Sequence, residues 1–131
     1  MKKSTRIAVV LLVVTAAVAV VAVKDGRRAD EPAASAGADA IPRLVDLGSD
    51  KCTQCKMMAP ILDDLREEYA GRLDVVFIDV YKTEGAAKRY GVSVIPTQIF
   101  YAVDGAELYR HVGFYSGQEI LAKWRELGVE F

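Results

Sequence analysis

The stretch Cys52-Thr53-Gln54-Cys55-Lys56-Met57-Met58-Ala59-Pro60-Ile61-Leu62 decides the fold of this chain of 131 residues. It holds both cysteines of the sequence, whereas a disulfide framework needs more of them, spread along the chain. A zinc site needs two further ligands, and His111 is the only histidine. A disulfide that closes so short a loop constrains little chain entropy and is a poor structural staple. The close pair therefore favours redox chemistry.

Working outward from this stretch, apolar periodicity and turn residues predict seven elements. A strand, a helix and a second strand in succession form a β-α-β unit with parallel pairing, and Asp104-Gly105 predicts a hairpin between the last two strands. The expected fold class is α/β, in the order β-α-β-α-β-β-α, with a mixed central sheet flanked by helices. The predicted strands cover residues 43–47, 73–80, 97–103 and 107–112, and the predicted helices cover 53–69, 84–90 and 116–127.

Three basic residues precede an apolar run from Ile7 to Val23, which is close to the length of a membrane-spanning helix and has no polar face. We predict that residues 1–23 form a retained signal anchor, with a cleaved signal peptide, cut after Ala36, as the alternative. Residues 24–40 are rich in Ala, Asp, Gly and Pro and are predicted to be a flexible tether. The folded domain is expected at residues 41–131.

Charge divides the chain into two unlike parts. Residues 1–30 carry six Lys/Arg and two Asp/Glu, whereas residues 31–131 carry eleven Lys/Arg and sixteen Asp/Glu. An acidic domain repels phosphate backbones, so nucleic-acid binding is not expected. Basic residues flank both ends of the apolar run, and the positive-inside rule therefore discriminates little. We expect the domain on the extracytoplasmic, periplasmic side of a bacterial membrane, because short N-terminal segments of this shape act as export signals. The alternative is that the domain is secreted after cleavage of the segment.

Cys52 lies where the first predicted helix begins, and there the unpaired N–H groups and the helix dipole stabilise a thiolate. Lys51 and Lys56 add positive charge. We therefore predict that Cys52 is the more exposed sulfur and the nucleophile, and that Cys55, one helical turn further on, resolves the mixed disulfide. The neighbours of the two cysteines that are predicted to contact a substrate are Lys51, Thr53 and Gln54.

These residues resemble the thioredoxin family, and the resemblance covers about residues 43–127. It implies the thioredoxin fold and a thiol–disulfide oxidoreductase that needs no metal and no cofactor besides its reversible disulfide. The matching blocks stand in the family's order. They are Val45-Asp46-Leu47 before the cysteines, Lys56 and Pro60 after them, Gly91-Val92-Ser93-Val94-Ile95-Pro96-Thr97 as a cis-proline loop, and Val112-Gly113.

The resemblance also implies roles for the matching residues. Cys52 matches the nucleophile and Cys55 the resolving thiol, while Asp46 matches a buried acid that assists proton transfer at the resolving cysteine. The alternative for Asp46 is a surface acid at a strand edge. Three further matches are a cis-proline that packs against the disulfide and keeps metals away, a residue whose backbone pairs with substrate, and a glycine that lets a substrate backbone approach; these are Pro96, Ile95 and Gly113. The alternative for Pro96 is an ordinary trans-proline.

The chain departs from the family pattern at several places. Lys51 replaces a tryptophan, and Thr53-Gln54 replaces Gly-Pro. Val75 is expected where the family has the lysine that partners the buried acid, so nothing is expected to offset the desolvation of Asp46. We expect the domain to lack the first strand and first helix of a full thioredoxin, because the predicted tether runs almost to Arg43. These departures bear on the reduction potential and the preferred substrate.

Three functions compete. The first is a monomeric reductase of disulfides in exported proteins, with cytochrome c maturation as one candidate process, supplied with electrons by a membrane donor. The second is a thiol-based metal-binding or copper-delivery module; Pro96 argues against it, and Met57 and Met58 are expected to pack in the core rather than to bind a metal. The third, a redox-inactive interaction module, is disfavoured because both cysteines are present.

Overall fold

The computed structural model describes residues 40–131, so the predicted anchor and all of the predicted tether except Ala40 lie outside the described residues. Within residues 40–131, no helix is both long and apolar enough to cross a membrane. The predicted order β-α-β-α-β-β-α is confirmed. The elements are β1 (Arg43–Gly48), α1 (Thr53–Glu68), β2 (Asp74–Asp79), α2 (Ala86–Arg89), β3 (Thr97–Tyr101), β4 (Glu107–Val112) and α3 (Gly117–Glu126).

The four strands form one mixed sheet in the order β2-β1-β3-β4. Strand β1 runs parallel to β2 and antiparallel to β3, and β3 pairs antiparallel with β4. The parallel pair follows from the crossover through α1, and the β3–β4 pair follows from the hairpin at Asp104-Gly105, where Gly105 adopts a φ of 85°. Strand β1 is therefore interior, and its side chains are buried on both faces.

Each face of the sheet has its own core. Side chains of alternating strand residues, among them Leu44 and Phe100, pack with Met58 of α1 and Trp124 of α3. The rings of Phe100 and Trp124 lie 4.7 Å apart. On the opposite face a smaller cluster is formed by Val45, Leu47, Val92 and Ile99. The faces thus separate even from odd positions of β1, which places Asp46 and Gly48 on the same face as α1.

Several element ends differ from the predictions for local reasons. Helix α2 covers one turn rather than residues 84–90, because Gly85, with a φ of 70°, is left-handed and lies outside the helix. Strand β3 ends at Tyr101 rather than at residue 103, because the Ala102 N–H bonds to the Ala106 carbonyl across the hairpin turn. The predicted cap of α3 is confirmed, since Ser116 forms a capping box with Glu119.

The prediction that Met57 and Met58 both pack in the core is wrong for Met57. Met58 is fully buried, whereas Met57 is 51% exposed. Consecutive residues of an α-helix point about 100° apart, so the pair cannot share one narrow apolar face. Helix α1 therefore presents Met58, Leu62 and Leu65 to the core and leaves Met57 on the surface.

Candidate active site

The two sulfurs stand at the start of α1 and are joined as a disulfide, with 5.2 Å between the Cα atoms of Cys52 and Cys55. Cys52 is the N-cap of the helix and has extended backbone angles. Its sulfur accepts a hydrogen bond from the Cys55 N–H at 3.2 Å. Cys52 is half-buried and Cys55 is only 3% exposed, so a reagent reaches Cys52 first.

The electrostatic surroundings of Cys52 favour a negative charge on its sulfur. The first turn of α1 contains no acidic residue. The neighbouring Lys51 and Lys56 are exposed, and the unpaired N–H groups of the first turn point toward the cap position. In the reduced protein a thiolate at this position is therefore stabilised by the helix end as well as by nearby cations.

The loop between β1 and α1 is fastened to the end of β2 by Asp79, which is 7% exposed. One Asp79 oxygen accepts from the N–H groups of Tyr81 and Lys82, at 2.9 and 3.2 Å, and the other accepts from the Asp50 N–H at 3.3 Å. Burial alone would raise the pKa of Asp79, but these donors and the Lys82 ammonium outweigh burial and lower the pKa. Lys82 also pairs with the Asp50 carboxylate at 2.7 Å. Sequence reasoning missed this anchor, whose only signal was an acid at the end of a strand.

Asp46 is fully buried in β1, which excludes the alternative of a surface acid. Its Oδ1 accepts a hydrogen bond from Gln98 Nε2 at 2.6 Å, whereas its Oδ2 has no hydrogen-bond partner among the described residues. Burial raises the pKa of Asp46 to about 6, and the hydrogen bond from Gln98 opposes that rise. Near neutral pH the group is therefore close to the point at which it gains or loses a proton.

Two expectations about the surroundings of Asp46 are wrong. The strand register places Phe77 opposite Asp46, while Val75 lies opposite Leu44, one pleat further back. Nor is the desolvation of Asp46 without compensation, because Gln98 donates to it from β3. Sequence reasoning missed Gln98 altogether, although a glutamine inside the predicted strand 97–103 was a usable signal.

Gly48 provides the space that lets Cys55 approach β1. A Cβ atom at this position would lie 3.3 Å from the Cys55 sulfur and 2.9 Å from Cε2 of Phe77. Gly48 and Asp46 are two residues apart on the same face of β1, which separates their Cα atoms by about 6.6 Å. The Asp46 carboxyl thus lies one pleat below the glycine that contacts Cys55. This glycine was also missed at the level of the sequence.

The Ile95–Pro96 peptide bond is cis, which excludes the alternative of an ordinary trans-proline. Pro96 is buried and its carbonyl accepts from the Gly113 N–H at 2.8 Å, so the cis-proline loop and the glycine are brought together. Because Thr97 pairs with Leu47 at the end of β1, the cis-proline loop and the β1–α1 loop lie at the same end of the strands. Ile95 is half-buried beside them.

The remaining predicted contact residues, Thr53 and Gln54, are exposed on the first turn of α1. Gly113 has a φ of 102°, and the space that a Cβ atom would occupy there is open. Within residues 40–131, no group of three or more His, Cys, Asp or Glu side chains is placed to hold a metal ion. The site as it stands therefore consists of one disulfide, one buried acid and a rim of exposed side chains and backbone.

Comparisons with known proteins agree with this arrangement. The sequence model of the family Thioredoxin matches residues 33–126. A thioredoxin of Thiocapsa roseopersicina is 45% identical over 56 residues, which cover 43% of this chain and 62% of that protein. A thioredoxin of Staphylococcus aureus (strain Mu50 / ATCC 700699) is 39% identical over 72 residues, which cover 55% of this chain and 68% of that protein.

A solved structure described as "Structure of a malarial protein" superposes with a TM-score of 0.63 at 24% identity, covering 68% of this chain and 99% of the other. At that level of identity the likeness concerns the fold alone. The alignments with the two bacterial proteins span roughly three-fifths to two-thirds of their length.

The raised pKa of Asp46 predicts how its replacement changes stability. At pH 8 the folded protein holds an ionised, buried carboxylate, and a pKa of about 6 in place of 3.8 corresponds to about 3 kcal/mol of destabilisation. This penalty vanishes at low pH, where the group is protonated in both the folded and the unfolded chain. Asp46→Asn should therefore raise the free energy of unfolding by about 3 kcal/mol at pH 8 and leave it nearly unchanged below about pH 4.

The measurement is urea unfolding of the oxidised full chain across this pH range. Asp63→Asn is the matched control, because Asp63 is exposed on α1 and pairs with Arg66 on the surface, so its removal should change stability little at any pH. Equal effects of the two substitutions at pH 8 would contradict the assignment of a buried, ionising Asp46.

Proposed function

This chain belongs to the thioredoxin family, and we propose that it is a thiol–disulfide oxidoreductase that reduces disulfide bonds in exported proteins. The observation that carries the proposal is the pairing of Cys52 and Cys55 at the start of α1, beside Gly48 and above the buried Asp46. Cys52 is accessible to a partner protein, and the deeply buried Cys55 is placed to react with the Cys52 sulfur.

The reduction proceeds by two exchanges of sulfur bonds. In the reduced protein the Cys52 thiolate attacks one sulfur of a substrate disulfide, and the other substrate sulfur leaves as a thiolate. Cys55 then loses its proton and attacks the Cys52 sulfur, which breaks the mixed disulfide and releases the second substrate thiolate. Two electrons pass to the substrate, and the protein is left with the Cys52–Cys55 disulfide. A dithiol donor returns it to the reduced state.

Asp46 takes the proton of Cys55 in the second exchange. Burial keeps its pKa close to neutral, where a carboxyl group both accepts and returns protons efficiently. Its Oδ2, which has no hydrogen-bond partner within residues 40–131, is the oxygen available for this proton. The other buried acid of the described residues, Asp79, lies one pleat away on β2 and is committed to backbone donors at the neighbouring loop.

Substrate is held at the rim of the site. Lys51, Thr53 and Gln54 contact it from the cysteine side, since all three are exposed around Cys52. The backbone of Ile95 pairs with an extended substrate segment, and Gly113 leaves room for that segment because it has no side chain. In this proposal Pro96, in the cis-proline loop, shields the disulfide from metal ions. The enzyme acts as a monomer on protein disulfides.

The place of action is the extracytoplasmic side of a bacterial membrane. The apolar run Ile7–Val23 is the support for this location, because it has the composition of a signal anchor. A domain tethered there would receive electrons from a membrane protein with its own dithiol and pass them to exported proteins, including apocytochromes during cytochrome c maturation. Cleavage of the leader would release the same domain as a secreted reductase.

Replacing each cysteine separately tests the chemical proposal. Cys52→Ser should abolish reduction of insulin disulfides by the full chain in detergent with dithiothreitol as electron source, because the attacking sulfur is gone. Cys55→Ser should accumulate a mixed disulfide with substrate, because attack proceeds and release does not. Mass spectrometry of the trapped species checks which cysteine is bonded. Equal trapping by both variants would contradict the roles assigned to the two cysteines. Met57→Leu, on the exposed face of α1, is the control and should retain activity.

A reporter that is active only outside the cytoplasm, fused after Phe131, tests the location. We expect activity with the intact leader and none when Ile7–Val23 is deleted, because export depends on the apolar run. A fusion with a reporter that is active only in the cytoplasm provides the reciprocal control. Activity of the cytoplasmic reporter alone would contradict both the location and the role in exported proteins.

A further inference from the structure

Four residues form a row across the sheet on the face that packs against α1. Asp46 of β1 lies between Phe77 of β2 and Gln98 of β3, and Gln98 lies opposite His111 of β4. Gln98 is polar but fully buried, and its neighbour on the same face of β3, Phe100, belongs to the apolar core. A buried amide is unfavourable unless its polar atoms are hydrogen-bonded, so a glutamine at this position calls for an explanation.

Two of the four polar side-chain atoms of this pair form a hydrogen bond within residues 40–131. Gln98 Nε2 donates to Asp46 Oδ1 at 2.6 Å. Gln98 Oε1 and Asp46 Oδ2 are both buried and have no hydrogen-bond partner within residues 40–131. Both unpartnered atoms are acceptors, and one added proton on Asp46 would supply a donor for them. The pair is thus arranged for a carboxyl group that is protonated during part of its working cycle.

A side-chain amide fits both forms of that carboxyl group. When Asp46 is ionised, the NH₂ group of Gln98 donates to it, as in the structure. When Asp46 is protonated on Oδ2, its Oδ1 still accepts from the NH₂ group of Gln98, and if the proton moves to Oδ1 the amide oxygen accepts it after a half-turn of the amide group. An aliphatic side chain of the same length would satisfy neither form.

We propose that Gln98 is a positioning residue for the transfer of the Cys55 proton: it ties down one oxygen of Asp46, leaves the other free, and partners the acid in both protonation states. This inference rests on the proposed function. In the step concerned, the Cys55 proton passes to Asp46, the Cys55 sulfur bonds to the Cys52 sulfur, and the Cys52–substrate bond breaks with departure of a substrate thiolate. Gln98 itself forms and breaks no covalent bond.

Other titratable groups face Asp46, and their effects on the pH dependence must be distinguished from the effect of Asp46. Helix α1 contributes Cys55, and β2 contributes Asp79 one pleat away. From β4, Tyr109 and His111 lie beyond Gln98 on the same face. His111 is stacked on Tyr115 at 3.9 Å and is the basic group among these neighbours.

Replacing Gln98 by Met keeps the length and volume of the side chain and removes the donor. Without that donor the carboxylate is less favoured, so Asp46 should stay protonated to higher pH. A hydrogen bond to a charged group corresponds to about one to two pH units of such a shift. The rate of the second exchange should therefore rise with pH along a curve displaced upward by about one unit, and at a fixed pH below the midpoint it should fall about tenfold.

The experiment uses the reduced full chain in detergent and an aryl disulfide that releases one coloured thiolate in each exchange, followed by stopped flow from pH 5 to 9. The first release reports attack by Cys52, and the second reports resolution by Cys55. The variants are Gln98→Met, Asp46→Asn, their combination, and His111→Asn, with Gln118→Met as the matched control because Gln118 is an exposed glutamine on α3. Gln98→Leu replaces Gln98→Met if the latter does not fold.

The proposal requires that Gln98→Met displace the resolution curve and leave the attack rate unchanged, that it have no further effect in the Asp46→Asn background, and that His111→Asn and Gln118→Met leave the curve in place. An unchanged resolution curve in Gln98→Met overturns it. So does an equal displacement in His111→Asn, or a displacement that persists without Asp46.

A measurement without turnover separates this proposal from the proposed function. Thermal unfolding of the oxidised full chain across pH reports the same carboxyl group, because its contribution to stability declines as pH rises above the pKa of an unfolded aspartate and levels off once Asp46 ionises in the folded protein. In Gln98→Met that decline should continue to higher pH than in the wild type, and in Asp46→Asn it should be absent. If the wild type reduces no disulfide but Gln98→Met still shows this displacement, the function fails and the coupling of Gln98 to Asp46 stands. If the decline is identical in both proteins, the coupling itself is overturned.

Discussion

The site depends on one buried carboxyl group in the central strand of the sheet. Asp46 lies in β1, which has a strand on each side and packed side chains on both faces, so its carboxyl group is removed from bulk solvent. An ionised group in such a place is unfavourable unless it has hydrogen-bond donors. The neighbouring strand supplies one donor, Gln98, and the fold thereby holds an acid at the balance point between its two protonation states.

The surrounding architecture directs this acid toward sulfur chemistry. Gly48, one pleat further along β1, has no side chain and lets Cys55 approach the strand. Helix α1 begins at Cys52, so its free N–H groups favour a thiolate on the exposed sulfur while the buried sulfur lies close to the acid. Asp79 holds the intervening loop to the end of β2. The two cysteines thus have different environments although they are only three residues apart.

Much of this was readable from the sequence because it depends on local patterns. The order of the elements, the cap at Ser116 and the placement of the cysteines at a helix start all follow from periodicity and turn chemistry within short windows. The burial of Asp46 was also predictable, since Val45 and Leu47 flank it in an apolar strand.

The predictions that were wrong and the residues that were missed depend on strand register and on contacts between residues far apart in the sequence. Val75 and Phe77 share one face of β2, so alternation cannot tell which of them lies opposite Asp46; only the pairing of β1 with β2 decides it. Gln98 is 52 residues from Asp46, and no local pattern connects them. The close contact at Gly48 likewise exists only after α1 has packed against the sheet.

The central claim is that Asp46 is a buried acid that titrates near neutrality in the active site. The most direct measurement is a carbon-13 NMR titration of the Asp side-chain carboxyl groups in the oxidised wild-type chain, with the Asp46 signal assigned by its absence in Asp46→Asn. We predict that the signal assigned to Asp46 has a midpoint near pH 6, because burial raises the pKa of this group to about 6. A midpoint for Asp46 in the usual range of exposed aspartates, about pH 4, would contradict the account.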